Sequence, residues 1–271
     1  MKIELADRAI LITGAGHGLG RAYAFDAARR GASVLVNDID GAAAQAVVED
    51  IRTFGGRAEG DVRAVGTSEA GEAVVDACLR AFGRVDGLIN NAGIFTPALP
   101  WEMAPERVEE IVRVNLLGTI HTGVAALKEM RRNGAGAIVN IVSGSIFGLS
   151  DFSIYGATKG AVLSLTYAWS KAVTGTGIHI HGLSPLAMTA MMKQSDTGPF
   201  TLITPAEVAP LASYLLSDRA LRLNGMIVRL AERRVHLLKP PEYTAALGER
   251  NEWDFDSFDS LLDTYMQETA G

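Results

Sequence analysis

A single cysteine, Cys78, is all that the 271 residues offer, so no disulfide can close within the chain. It falls in the helical-looking run 73–82 and reads as a buried, inert thiol, which fits a reducing, cytoplasmic setting. Basic charge is also short. The 25 Lys and Arg face 31 Asp and Glu, a formal net charge of -6, which excludes the basic surface that nucleic acid or an anionic membrane demands. Long apolar runs are missing. None approaches the roughly 18 residues of a membrane span, and the first residues lack the stretch a signal peptide needs, so neither is expected. Metal-ligand spacing is absent too. His17, His121, His179, His181 and His236 form no zinc pattern with cysteine or carboxylate, and the alternating pair His179 and His181 reads as strand packing, so no metal is expected. No repeat of fixed period occurs, which excludes a solenoid or propeller.

What is present is apolar mass, 48% of the sequence, enough for one large core in a single domain over residues 1–271. Short β-branched runs at 9–13, 33–38, 87–90, 137–142, 179–184 and 226–230, with a weaker one at 57–61, alternate with helical patterns at 19–30, 42–54, 69–82, 105–132, 154–173 and 205–217. Such alternation predicts an α/β fold, a doubly wound parallel sheet with helices on both faces. Thr204, Pro205 and Glu207 carry the signature of a capped helix start. Residues 186–204 lack periodicity and hold Met188, Met191, Met192 and Phe200, which predicts a substrate loop. Residues 231–271 form a C-terminal extension in which Phe258, Leu261, Leu262 and Tyr265 recur at helical spacing, predicting an amphipathic helix docked on an apolar partner.

The first strand runs into Thr13-Gly14-Ala15-Gly16-His17-Gly18-Leu19-Gly20 and then a helix. Glycines there permit a tight turn and close approach of backbone to a pyrophosphate, which the helix N-terminus attracts. Gly14, His17, Gly18, Leu19 and Gly20 are therefore the expected cofactor contacts. Asp38 ends the second strand 24 positions after Gly14, where a carboxylate accepts both adenine-ribose hydroxyls and repels a 2′-phosphate. The expected cofactor is thus NAD, an NADP-dependent reductase being the alternative that Asp38 opposes. Asp61 and Val62 are expected to flank the adenine, and Asn91, Ala92 and Gly93 to face the ribose.

Tyr155 and Lys159 stand four apart at the start of a helix, on one face. An ammonium beside a phenol stabilises the phenolate, so Lys159 is expected to lower the pKa of Tyr155 for proton transfer and to bind the nicotinamide ribose. Ser143 ends a strand twelve residues upstream and can hold a substrate oxygen, with Ser145 as the alternative serine. Asn115, polar among apolar helical neighbours, predicts a buried hydrogen bond, through water to Lys159.

In this order, TGxxxGxG, Asn-Asn-Ala-Gly, Asn115, Ser143 and Tyr-x-x-x-Lys resemble a classical short-chain dehydrogenase/reductase over about residues 5–230. The resemblance implies a Rossmann-type sheet of seven strands, catalytic Asn115, Ser143, Tyr155 and Lys159, a nicotinamide-contacting Thr189, and a homodimer or homotetramer. Val36-Asn37-Asp38 and the 184–189 stretch further resemble the dehydrogenase part of peroxisomal multifunctional enzymes and bacterial relatives, which act on hydroxyacyl or hydroxysteroid substrates. Three features depart from the pattern. The serine-to-tyrosine segment is one residue short, Leu186 stands where the family has glycine after proline, and Ala231-Glu232-Arg233-Arg234 replaces a glycine-rich end. Expected is hydride exchange between a secondary alcohol and NAD, with Tyr155 moving the proton. Ile94, Phe95, Trp101, Phe147, Phe152 and the methionines at the mouth predict a bulky hydrophobic substrate of steroid, terpenoid or hydroxyacyl type. The alternative is a catalytically impaired dinucleotide-binding regulatory or scaffold protein.

Overall fold

Apolar residues at consecutive strand positions, such as Ile10-Leu11-Ile12 and Val34-Leu35-Val36, make sense only if both faces of the sheet are covered. The computed structural model, which describes residues 4–188 and 202–269, has that arrangement. Strands β1 (Ala9–Thr13), β2 (Ser33–Asn37), β3 (Arg57–Asp61), β4 (Gly87–Asn90), β5 (Ala135–Ile141), β6 (Gly177–Pro185) and β7 (Ile227–Ala231) run parallel in the order β3-β2-β1-β4-β5-β6-β7. Helices α1 (Gly18–Arg29), α2 (Gly41–Thr53), α3 (Ser68–Phe82), α4 (Pro105–Val112), α5 (Gly118–Asn133), α6 (Ser153–Ala172) and α7 (Pro205–Leu215) connect them. Strand alternation divides the core. Ile10, Ile12, Val34 and Val36 pack with Tyr23, Val48, Val208 and Leu215 on one face, whereas Leu11, Leu35 and Leu88 pack with Val74, Cys78 and Met130 on the other. The order reverses between β1 and β4, which opens a crevice at the carboxyl ends of the strands, where doubly wound sheets bind ligands.

An eighth strand, β8 (Arg234–Leu238), was not expected from the sequence. It pairs antiparallel with β7 through a two-residue turn whose residues, Glu232 and Arg233, have φ of 50° and 63°. Asn-Gly or Gly-Gly normally marks such a turn, and here neither residue advertises it. The expected single helix at 105–132 is α4 and α5 joined by a π-helical turn at Arg113–Leu117, which contains Asn115. Thr204 and Glu207 form the expected capping box on α7. Residues through Leu238 make one compact unit, and the chain from Lys239 makes a second. The latter contains the expected tail helix, α8 (Phe255–Thr269), whose start is closed by reciprocal 2.9 Å bonds between Asp254 and Ser257. Among the described residues no helix is long and apolar enough to cross a membrane.

Candidate active site

The glycine loop is stitched to the end of β4. Thr13 Oγ1 accepts from the amides of Asn91 (3.1 Å) and Ala92 (3.0 Å), and Asn91 Nδ2 donates to the carbonyls of Thr13 and Gly14, both at 2.9 Å. Packing this close requires glycine. A Cβ on Gly14, at φ +63°, would lie 2.9 Å from Ala92 Cα, and one on Gly20 would lie 2.0 Å from the Gly14 carbonyl oxygen. No acidic residue occupies the first turn of α1 and no side chain caps it, so its leading amides remain available to an anion in the cleft. Asp38 reaches back over the loop, its Oδ2 accepting from Gly16 N at 2.8 Å and its Oδ1 from Asp40 N at 3.0 Å. His17 Nε2 lies 3.1 Å from Asp40 Oδ2.

A cleft of about 1160 Å³ gathers most of the expected contacts: Gly14, His17, Gly18, Leu19, Gly20, Asp38, Asn91, Ala92, Gly93, Ser143, Tyr155 and Lys159 all line it. Asp61 and Val62 do not. The Asp61 carboxylate is buried against Asn37 Nδ2 (2.9 Å) and ion-paired to Arg63, while Val62 points out and is 61% exposed. Arg63, Ala64 and Val65 form the wall there instead. Thr189, Met191 and Met192 lie outside the described residues, and Met188 and Trp101, at 52% and 79% exposure, are not on the cleft wall. Ile94, Phe95, Phe147 and Phe152 are on it, and Phe95, Phe152 and Tyr155 form one aromatic cluster with centroids 4.4 to 6.2 Å apart. Leu186 is there as well, its amide bonded to the Leu230 carbonyl at 2.9 Å.

Despite the shortened segment, which folds as two 3-10 turns at Gly144–Phe147 and Ser150–Phe152, the Ser143 hydroxyl comes close enough to lower the Tyr155 pKa. The alternative serine, Ser145, also lines the cleft, but its Oγ is buried and has no hydrogen-bond partner among the described residues. Lys159 is buried, and its Nζ donates to the Ile141 carbonyl at 2.8 Å while lying 5.7 Å from the Tyr155 ring centre. Burial pushes the lysine down to about 8 and the phenol up to about 12. The expected lowering of the phenol by Lys159 is not seen: desolvation raises it, and only the Ser143 hydroxyl acts in the opposite direction. Asn115, fully buried, does not bond Lys159 directly. Its side chain accepts from Ile94 N (2.8 Å) and donates to Ile94 O (2.9 Å) and to Thr158 Oγ1 (3.4 Å), locking the segment after β4 onto α6. A second buried polar chain runs from Asn90 Nδ2 to Asn140 Oδ1 (2.9 Å) and from Asn140 Nδ2 to Thr166 Oγ1 (3.0 Å). Among the cleft residues that escaped the sequence reading are two arginines, Arg63 and Arg229. The second had a signal, since it is the lone charge in the apolar strand Ile227-Val228-Arg229-Leu230-Ala231.

Comparison with known proteins agrees with this geometry. A family model described as short chain dehydrogenase matches residues 8–198. The chain belongs to the short-chain dehydrogenase family. It is an oxidoreductase whose fold binds a nicotinamide dinucleotide. The peroxisomal hydratase-dehydrogenase-epimerase of Saccharomyces cerevisiae is 33% identical over 241 residues, 84% of this chain but 26% of its own, so the chain spans about a quarter of that relative. A short chain dehydrogenase from Mycobacterium avium superposes with a TM-score of 0.89 at 25% identity, covering 97% of this chain and 96% of its own. The structure of 7α-hydroxysteroid dehydrogenase complexed with NADH and 7-oxo glycochenodeoxycholic acid does so at 0.80 and 28% identity, covering 85% and 95%.

Proposed function

We propose that this protein interconverts a secondary alcohol and a ketone using NAD(H), with a bulky hydrophobic compound of steroid, terpenoid or hydroxyacyl type as substrate. The observation that carries the reading is the convergence of the glycine loop, Asp38, Ser143, Tyr155 and Lys159 on one cleft walled by Ile94, Phe95, Phe147 and Phe152. Gly14, Gly18 and the open first turn of α1 would hold the pyrophosphate, and Asp38 the adenine ribose. His17 and Arg63 each face a carboxylate of their own, Asp40 and Asp61, and Asp38 brings negative charge to the same region, which favours NAD over NADP. When bound, the nicotinamide ring accepts or supplies the hydride. Tyr155 donates its proton to the ketone oxygen in reduction and takes the alcohol proton in oxidation. Ser143 donates a hydrogen bond to that oxygen, and Lys159 supplies the positive charge that stabilises phenolate. Asn115 is a positioning residue for this site, acting through Ile94 and Thr158. The buried, unreactive Cys78 is consistent with a cytoplasmic location, and the half-exposed Val235 and Leu237 on edge strand β8 offer apolar surface to a homo-oligomer.

A scaffold role without turnover is disfavoured because the shortened segment still presents Ser143 to Tyr155. The deciding experiment follows reduced nicotinamide by absorbance across a panel of secondary alcohols and ketones, with NAD and NADP cofactors in parallel and Tyr155→Phe as control. Turnover with NAD(H) that disappears in Tyr155→Phe is expected. Cofactor binding without turnover of any compound would replace this reading with the scaffold one.

A further inference from the structure

Arg229 does something that the proposed alcohol chemistry does not require. In the sheet register it stands opposite Ser184 on β6 and opposite His236 on β8, so the three side chains project from the same face. Its Nη1 donates to Ser184 Oγ at 3.3 Å, and it lies so near the serine segment that a Cβ on Gly144 would come within 2.8 Å of it. The guanidinium lines the main cleft together with Ser143 and also lines an adjoining cavity of about 250 Å³, whose walls include Ser143, Ser184 and His236. Among the described residues no carboxylate pairs with it, whereas Arg63, the other arginine in the cleft wall, is paired with Asp61. A half-buried cation in an otherwise apolar strand, without a counter-ion, is destabilising unless something else supplies the negative charge.

We infer that Arg229 is a specificity residue that binds a carboxylate of the substrate, so that the substrate is a hydroxy acid or keto acid rather than a neutral alcohol. A guanidinium forks naturally onto both carboxylate oxygens, and the hydroxyl of Ser184 supplies a further donor. Because Ser143 borders both spaces, the acid group sits within a few bonds of the reacting carbon, with the apolar remainder of the molecule against Phe95 and Phe152. The inference rests on the proposed reading for the position of the reacting carbon, and its test is separable from that reading.

Octanoate and octanamide, a charged and a neutral probe of equal length, are titrated calorimetrically into the full chain with NAD present and absent. Wild type is expected to bind octanoate about ten-fold or more tightly than octanamide, and Arg229→Leu to bring that ratio to within about two-fold. If Arg229→Leu fails to fold, Arg229→Gln, which keeps a donor toward Ser184 without the charge, is expected to lose the preference as well. No octanoate preference in wild type, or a preference that survives these substitutions, overturns the inference. Octanoate preference without turnover of any alcohol removes the enzymatic reading and leaves the anion site standing. Turnover of neutral alcohols without octanoate preference does the reverse.

Discussion

Lys159 Nζ donates to the carbonyl of Ile141 across 2.8 Å, joining α6 to the last residue of β5 through a side chain that is 3% exposed. Burial lowers this lysine from 10.5 to about 8, so it stays charged at neutral pH against its environment. The sign follows from linkage. The folded value lies below the unfolded one, so the destabilisation is complete below about pH 8 and fades as pH rises toward 10.5. At about 1.4 kcal/mol per pH unit this amounts to about 3 kcal/mol, part of which the bond to Ile141 offsets. Lys159→Met should therefore gain about 1–2 kcal/mol in urea unfolding at pH 7 while kcat/KM falls by about 10²–10⁴-fold. A variant that is less stable and equally active would place Lys159 in the scaffold rather than the chemistry.

The phenol of Tyr155 presents the complementary case. Desolvation pushes it up to about 12, and the Ser143 hydroxyl returns only part of that shift. In the protein free of cofactor, the Tyr155 contribution to an ultraviolet titration, isolated by subtracting Tyr155→Phe, should appear above the ordinary value of 10.0. Ser143→Ala should move it higher still, because the group that stabilises phenolate is gone. Ionisation near neutrality, unaffected by Ser143→Ala, would contradict the burial argument.

Asp38 has two neighbours to satisfy, the amides of Gly16 and Asp40, and its remaining lone pairs face the cleft. Asp38→Asn keeps an acceptor for one of those amides and removes the charge that repels a 2′-phosphate. Fluorescence titration should show the NADPH-to-NADH affinity ratio rising by about ten-fold or more, equivalent to about 1.4 kcal/mol. An unchanged ratio would remove Asp38 from cofactor choice.

Local patterns were enough to read the parallel sheet, because buried strands and amphipathic helices write their periods directly into the chain. The glycine loop, Asp38, Ser143, Tyr155 and Lys159 were legible for a related reason: each sits at a fixed offset from a strand end or helix start. What escaped depends on contacts between distant residues. Val62 turns outward because Asp61, beside it, is held inward by Asn37 and Arg63, and no local pattern encodes that. Strand β8 was hidden because Glu232 and Arg233 adopt left-handed backbone angles without turn-forming side chains. The phenol's upward shift was missed because spacing reveals the nearby ammonium but not the depth of burial. Arg229 was visible as an isolated charge in β7, yet its meaning required the register with Ser184 and His236.

Buried on β6, His179 and His181 lie with Nδ1 of the first 2.6 Å from Nε2 of the second, while Nδ1 of His181 is 3.0 Å from the Leu223 carbonyl. A carbonyl only accepts, so His181 carries its proton on Nδ1, its Nε2 is an acceptor, and His179 Nδ1 must donate. This assignment holds for two neutral rings, the state that burial imposes near neutral pH. Burial accordingly lowers His179 to about 4 and His181 to about 3 from an ordinary 6.5. With folded values below unfolded ones, the unfolded chain takes up protons first as pH drops below 6.5, and stability falls from there toward pH 4. Urea unfolding should show a loss of about 2–4 kcal/mol between pH 6.5 and pH 5, a slope approaching two protons. Replacing both rings with glutamine should flatten that slope even if the variant starts less stable. Since β6 delivers Pro185, Leu186 and Ala187 to the cleft wall, activity should decline over the same interval as β6 loosens. Equal slopes in wild type and the double variant would mean that carboxylates, not this histidine pair, govern the acid limit.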